Sequence, residues 1–248
     1  MSEPWLSIII PAYNESRRIQ ATLDRVLAYL RGRRRSFEIL VVDDGSQDAT
    51  AESVRLRGEP EVVVLVSPAN RGKGAAVRRG VAASKGENVL LTDADLSVPI
   101  EDIERLEPLL EGGAAVVCGS RGLPDSRILI PQPGYRQRMG RTFNWILRRL
   151  SLSNFRDTQC GFKLFRGSAA RRIFSLCRVD GFAFDVEVLF LAQRMGYRAA
   201  EVPVRWQHVP ESRVHPVLDA SRMFFDVVWL RLAHRNEESL ESSDRRGL

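Results

Sequence analysis

The first half of the chain alternates short apolar runs with amphipathic stretches, and this rhythm limits the fold more than any other feature. Residues 6–10, with Leu6, Ile8, Ile9 and Ile10, read as a buried strand ended by Pro11. Residues 16–30 then carry helical spacing at Ile19, Leu23, Val26, Leu27 and Leu30. A second strand is expected over residues 37–42, followed by the turn Gly45-Ser46 and a helix with Asp48 as its N-cap. A third strand over 62–66 and a helix over 74–83 follow, then a strand over 89–91, a helix over 99–110 and a fifth strand over 115–117. Such strand–helix repeats predict an α/β fold with a mostly parallel, Rossmann-like sheet flanked by helices. Ligands of such sheets bind at the carboxyl ends of the strands. The polar residues predicted there are Tyr13, Asn14, Glu15, Asp43, Asp44, Asn70, Asp93 and Asp95.

Asp93-Ala94-Asp95 stands where the fourth strand ends. Two carboxylates one residue apart can face one cleft if the chain turns there. Hard oxygen ligands suit Mg²⁺ or Mn²⁺, which keep positions open for phosphate oxygens. An isolated pair is equally a capping turn before the next helix, so its neighbours decide. Pro11-Ala12-Tyr13-Asn14-Glu15 follows strand one, Asp43-Asp44-Gly45-Ser46 follows strand two, and Asn70-Arg71-Gly72-Lys73-Gly74 follows strand three.

With these motifs in order, the chain resembles the family 2 glycosyltransferases, which have the GT-A fold. Three later stretches narrow the likeness: Arg156-Asp157-Thr158-Gln159-Cys160-Gly161-Phe162-Lys163-Leu164-Phe165, Phe182-Ala183-Phe184-Asp185-Val186-Glu187, and Trp206 onward to Arg213. They resemble the dolichyl-phosphate β-glucosyltransferase and polyprenyl-phosphate glycosyltransferase branch. The resemblance implies that Pro11, Tyr13, Glu15 and Asp44 line a nucleoside pocket, with Lys73 reaching the nucleotide or its phosphates. It places Asp93, Ala94 and Arg213 on the nucleotide-sugar, and Asp95 as principal metal ligand with Asp93 and His208 beside it. Polyprenyl-phosphate mannosyltransferases carry a Gln two residues after the second Asp; here that position is Ser97. On the acceptor side the resemblance points to Arg121, Arg138, Arg141 and Ser212 for the phosphate. It makes Asp185 a catalytic residue with Asp95 and Arg121, serving as general base for a hydroxyl acceptor and as an orienting group for a phosphate.

The implied function is an inverting, metal-dependent hexosyltransferase that moves glucose from UDP-glucose to a polyprenyl or dolichyl phosphate. GDP-mannose or another UDP-sugar as donor, and a small hydroxyl acceptor, stay open. So does a non-catalytic module that binds anionic surfaces, although unneutralised aspartates would repel phosphate. A dinucleotide-binding reading of Gly72-Lys73-Gly74 is rejected, because the loop follows the third strand and lacks the third glycine.

The 248 residues suit one GT-A domain over 1–234, with a nucleotide-sugar half to about residue 120, an acceptor half over 121–234 and a disordered tail over 235–248. That second half is expected to hold a loop over 123–134, a basic helix over 136–150, a helix over 185–195, a strand over 200–204 and an aromatic helix over 216–233. The net charge of +6 favours anionic partners. The densest basic cluster, Arg31-Gly32-Arg33-Arg34-Arg35, is either a solvated loop or a contact for anionic lipid. No stacking aromatics are interleaved with it, so nucleic acid is not expected. No apolar run reaches the roughly 20 residues that span a bilayer. The first residues lack the pattern of a secretory leader. The expected location is cytoplasmic, with peripheral contact on a membrane's cytoplasmic face. Cys118, Cys160 and Cys177 follow no metal or disulfide spacing and are expected to be reduced thiols.

Overall fold

The computed structural model describes residues 3–131, 134 and 155–209. The expected helices over 136–150 and 216–233 and the tail lie outside these residues. So do Arg138, Arg141, Ser212 and Arg213.

The chain runs β1 (Leu6–Ala12), α1 (Ile19–Arg31), β2 (Phe37–Asp43), α2 (Thr50–Leu56), β3 (Val62–Val66), α3 (Lys73–Ala83) and β4 (Asn88–Leu91). A single 3₁₀ turn (Ile100–Asp102) then leads into α4 (Ile103–Glu111), β5 (Val116–Ser120) and β6 (Arg127–Ile130). After the interval come β7 (Lys163–Arg166), α5 (Gly167–Leu176), α6 (Phe184–Arg194), β8 (Ala199–Pro203) and β9 (Arg205–Gln207). Among the described residues, seven strands form the main sheet in the order β3-β2-β1-β4-β7-β5-β8, and β6 pairs with β9 in a small second sheet.

Alternation within the strands decides which layer each side chain joins. Ile8, Ile10, Ile39 and Val41 face Leu23, Val26 and Leu27 of α1 and Ile103 and Leu106 of α4. Ile9, Leu40 and Val42 face the opposite layer, with Ala76, Val77 and Val81 of α3, Ile173 and Phe174 of α5 and Leu189 of α6. Central strands covered on both sides must be apolar throughout, which explains the unbroken runs in the sequence.

β1 and β4 lie side by side and parallel, with Ile9 opposite Leu91. The chain leaves this pair in opposite directions, toward β2–β3 and toward β7–β5–β8. That makes the carboxyl ends of β1 and β4 the switch point where a crevice opens. The expected parallel sheet is found, with one exception. β7 runs antiparallel to both β4 and β5, with Lys163 opposite Leu91 and Cys118. Its reversed direction puts the start of β7, and the residues just before it, at the carboxyl ends of its neighbours.

Neither β7 nor α5 was expected from the sequence. β7 is only four residues long and carries charge at both ends, so it shows no clear period. α5 does show spacing, at Ala169, Ala170, Ile173 and Phe174, all buried. The segment expected as a loop over 123–134 contains β6. Asp48 stands one residue outside the N-cap of α2, Ala49, and accepts from Thr50 N at 3.0 Å. The three cysteines are free and buried.

The basic cluster is tied down by acids. Arg31 meets Glu59 and Glu61, Arg33 meets Glu107 through both nitrogens at 2.6 and 2.7 Å, and Arg35 lies over the Trp5 ring at 4.1 Å. It sits between α1 and the start of β2, on the edge away from the crevice. Among the described residues, no helix is long and apolar enough to cross a membrane.

Asp102, 1% exposed, fixes β9 to the 3₁₀ turn by accepting from Arg205 N and Nε, both at 2.7 Å. Asp102→Ala strands the Arg205 amide and should cost roughly 2 kcal/mol. Urea unfolding checks this: the midpoint should fall while the slope stays constant.

Candidate functional site

The loops after β1, β2 and β3 brace one another. Asn14, at φ +54°, donates its N–H to Ser46 Oγ at 2.8 Å, and its own Oδ1 accepts from Gln47 N at 2.8 Å. Glu15 N donates to Thr50 Oγ1 at 2.8 Å, and the Glu15 carboxylate meets Arg18 Nε at 2.5 Å. Asp43 makes the turn, accepting from Ser46 N at 2.8 Å. Asp44 reaches further, accepting from Gly72 N at 2.7 Å and Arg71 N at 3.1 Å. Burial pushes the Asp44 carboxyl upward in spite of those amides. Asp44 therefore shapes the floor between the second and third loops. Pro11 and Tyr13 are partly exposed at the end of β1, beside it.

The third loop delivers Lys73 as the first residue of α3. Its conformation depends on Gly72, whose φ of +113° and closeness to Asp180 O, 2.4 Å from any added Cβ, admit no side chain. Gly74 N and Ala75 N both donate to Asp180 O, at 2.8 and 3.2 Å. Two of the first amides of α3 are thus occupied by backbone.

Asp93 and Asp95 stand on a turn held from several sides. Leu96 takes φ +46°, an uncommon left-handed conformation for a leucine, and donates to Asp93 O at 3.1 Å. Ser97 N donates to Asp95 Oδ1 at 2.9 Å, and Thr22 Oγ1 donates to Ala94 O at 2.5 Å. Gln207 N donates to Ser97 O at 2.9 Å, which brings β9 alongside.

Lys73 Nζ lies 2.5 Å from Asp93 Oδ1. Burial works against ionising Asp93, but Lys73, then Lys163 and Arg121, outweigh it and hold the carboxyl below its ordinary range. Burial likewise opposes the Lys73 charge, and Asp93, Asp185 and Asp95 together raise it. Asp95 differs from Asp93: burial and the neighbouring Asp93 push its carboxyl upward. The site thus holds one neutralised carboxylate and one under electrostatic pressure, an arrangement a further cation would relieve.

The reversed β7 supplies the back wall. An added Cβ on Gly161 would sit 2.3 Å from Asp93 Oδ2 and 2.8 Å from its Cγ, so the carboxylate lies flat on the glycine. Two residues on, Lys163 is fully buried and donates to Asp185 Oδ1 and to Cys160 O, both at 2.5 Å. Burial raises the Asp185 carboxyl against the pull of Lys163 and Lys73. Arg121 extends from the end of β5 and grips Asp157 through Nε at 2.6 Å and Nη2 at 2.9 Å. Its guanidinium also lies 5.6 Å from the Trp206 ring centre.

Asp44, Lys73, Asp93, Asp95, Arg121 and Asp185 therefore share one edge of the sheet. His208 is on the β9 side, its N–H bonded to Ile130 O at 2.9 Å and its ring stacked on Trp206. The neighbouring Gln207 N reaches Ser97 O, so β9 carries His208 alongside the turn that holds Asp95. Among the described residues, no group of three His, Cys, Asp or Glu side chains is close enough to hold a metal. Sequence reading passed over Gly161 and Lys163 as individual residues. A lysine opening a short strand two residues after a glycine was the available signal.

The sequence model of the family described as Glycosyl transferase family 2 matches residues 7–174. A dolichyl-phosphate β-glucosyltransferase of Dictyostelium discoideum is 36% identical over 244 residues, spanning 93% of this chain and 75% of that one. One of Homo sapiens is 35% identical, spanning 92% and 75%. Among solved structures, glucosyl-3-phosphoglycerate synthase from Mycobacterium tuberculosis, in complex with Mn²⁺, UDP-glucose and phosphoglyceric acid, superposes with a TM-score of 0.67. It is 22% identical and covers 93% of this chain and 79% of its own, a likeness of fold.

Gly161→Ala should leave the far-ultraviolet circular dichroism unchanged while displacing Asp93 from Lys73. We expect turnover to fall by about tenfold or more, as misplacement of an active-site group by an ångström does. Unchanged turnover would show that the close approach to Asp93 has no consequence.

Proposed function

The chain belongs to glycosyl transferase family 2 and is a nucleotide-sugar-dependent glycosyltransferase with a GT-A-like fold, and from that premise we propose how its residues divide the work. The donor is UDP-glucose and the acceptor a polyprenyl phosphate of the dolichyl type. The names of the relatives support glucose as the sugar, over mannose, and dolichyl phosphate as the acceptor, and the UDP-glucose complex of the structural neighbour is in keeping with a UDP-linked donor. The observation that carries the reading is the Asp93–Asp95 turn at the switch point, with Lys73 in contact with the first carboxylate and the second pushed up by burial and by Asp93.

Hard carboxylate oxygens on Asp95 and Asp93 suit a divalent cation, Mg²⁺ or Mn²⁺, completed by donor phosphate oxygens. When bound, such an ion neutralises the charge that develops on the leaving diphosphate. The chain's own groups do the rest. Pro11, Tyr13 and Glu15 border the nucleoside, and Asp44 sets the loop beneath it. Lys73 faces the diphosphate while keeping Asp93 in place. Arg213, outside the described residues, is assigned to the same phosphates.

A polyprenyl monophosphate is largely dianionic near neutral pH, with its second pKa at roughly 6, so it needs positioning more than deprotonation. Arg121 offers its outer guanidinium edge, already oriented by Asp157. Arg138, Arg141 and Ser212, also outside the described residues, complete the proposed acceptor set. Asp185 is held by Lys163, which favours an orienting role over that of a mobile base. His208 is assigned to the phosphate side of β9. An acceptor phosphate oxygen attacks the anomeric carbon as the bond to UDP breaks and its electron pair leaves with UDP. In-line attack converts an α-linked donor into a β-linked product. A lipid acceptor puts the enzyme at a membrane surface, reached from the crevice edge and not from the Arg31–Arg35 cluster.

The test is incubation with UDP-glucose, GDP-mannose or UDP-N-acetylglucosamine, with Mn²⁺ or Mg²⁺ and dolichyl phosphate, followed by mass analysis of the lipid. Glucosyl dolichyl phosphate is expected from UDP-glucose alone, and none in excess chelator. Asp95→Asn should fold normally and lose about 100-fold or more in turnover. A product from GDP-mannose, or undiminished turnover in Asp95→Asn, would overturn the assignment.

A further inference from the structure

Lys163 has no direct place in the transfer just described, yet its setting is unusual. It is 0% exposed within a four-residue strand whose next two side chains are Leu164 and Phe165. A fully buried ammonium is costly to desolvate, and an apolar residue would serve the sheet better. Its partners explain its presence. Nζ donates to Asp185 Oδ1 and to Cys160 O, the carbonyl that precedes Gly161 and so backs Asp93.

The charges around the crevice can be counted. Around the two ammoniums, Lys73 and Lys163, stand Asp93, Asp95 and Asp185, while Arg121 is paired with Asp157. Lys73 feels Asp185 as well as Asp93. Without Lys163, the cation left to act on the buried Asp185 carboxylate is Lys73. Drawing Lys73 toward Asp185 would take it away from both Asp93 and the donor phosphates.

We propose that Lys163 is a positioning residue that satisfies Asp185 so that Lys73 remains on Asp93 and on the phosphate side of the crevice. Two lysines thereby serve two carboxylates without exchange, and Asp95 is left as the unneutralised group. The proposal rests on the donor reading above, and its test separates the two.

The experiment is calorimetric titration of the full chain with UDP in Mn²⁺, and separately with uridine, which has no phosphate. It compares the unmodified protein, Lys163→Met, and Lys163→Met with Asp185→Asn. Lys163→Met should weaken UDP binding by about tenfold or more, in keeping with the coupling of neighbouring charges. The double variant removes the carboxylate that would attract Lys73, and should return to within about threefold of the unmodified chain. Uridine should bind all three within about threefold, because its pocket belongs to other loops. Unaltered UDP binding in Lys163→Met overturns the inference. So does a double variant as weak as the single one, or a parallel loss of uridine binding, since each denotes general damage or no role. Failure of the unmodified chain to bind UDP would instead overturn the donor reading, and the inference with it.

Discussion

The contact between Lys73 and Asp93 holds the rest of the site in register. Lys73 is offered by a loop whose glycine at 72 fits against Asp180, and Asp93 by a turn that forces Leu96 into a left-handed conformation. Each end of the pair is thus fixed by backbone constraints that belong to different units of the fold. The pair joins the β1–β2–β3 side of the sheet to the β4–β7–β5 side, across the point where the chain's direction of winding reverses. If that join failed, the two halves of the crevice would lose their common reference.

Around this join, short polar links do what a larger core cannot. Asp44 carries the end of β2 to the amides of Arg71 and Gly72, and Asn14 ties the end of β1 to the Ser46 turn. Asp102 secures β9, which in turn reaches Ser97 two residues beyond Asp95. Most of these groups are buried or half-buried, where a hydrogen bond left unmade is expensive. Polar contacts therefore set the loops at the crevice, whereas the two apolar layers fix the sheet and its helices. The strongly basic segment at residues 31–35 belongs to the opposite edge, where Arg31 and Arg33 are spent on Glu59, Glu61 and Glu107.

Much of this was legible in the sequence, for physical reasons that can be named. β1 and β2 are covered on both faces and so are apolar along their length. Helices α1 and α4 show a one-sided apolar stripe because each covers one layer. The loops at the strand ends carry the polar residues since the sheet leaves them nowhere else to face. What escaped was the antiparallel β7. Four residues with a lysine at one end and an arginine at the other give no period, and the lysine is buried only because a carboxylate from distant α6 meets it. Gly161 escaped for the same reason: its meaning lies in Asp93, which is close only in space. His208 was expected beside the aspartates on the strength of a resemblance; in the structure its backbone meets Ile130 O and its ring stacks on Trp206.

The central claim is that the turn after β4 divides its carboxylates, Asp93 for Lys73 and Asp95 for a cation that meets the donor diphosphate. A crystal structure of the chain with UDP-glucose and Mn²⁺, with the metal located by its anomalous scattering, tests this most directly. The account predicts manganese in contact with an Asp95 oxygen and with the diphosphate, while Lys73 keeps its contact with Asp93. Donor bound with the metal away from Asp95, or with Lys73 withdrawn from Asp93, would contradict it.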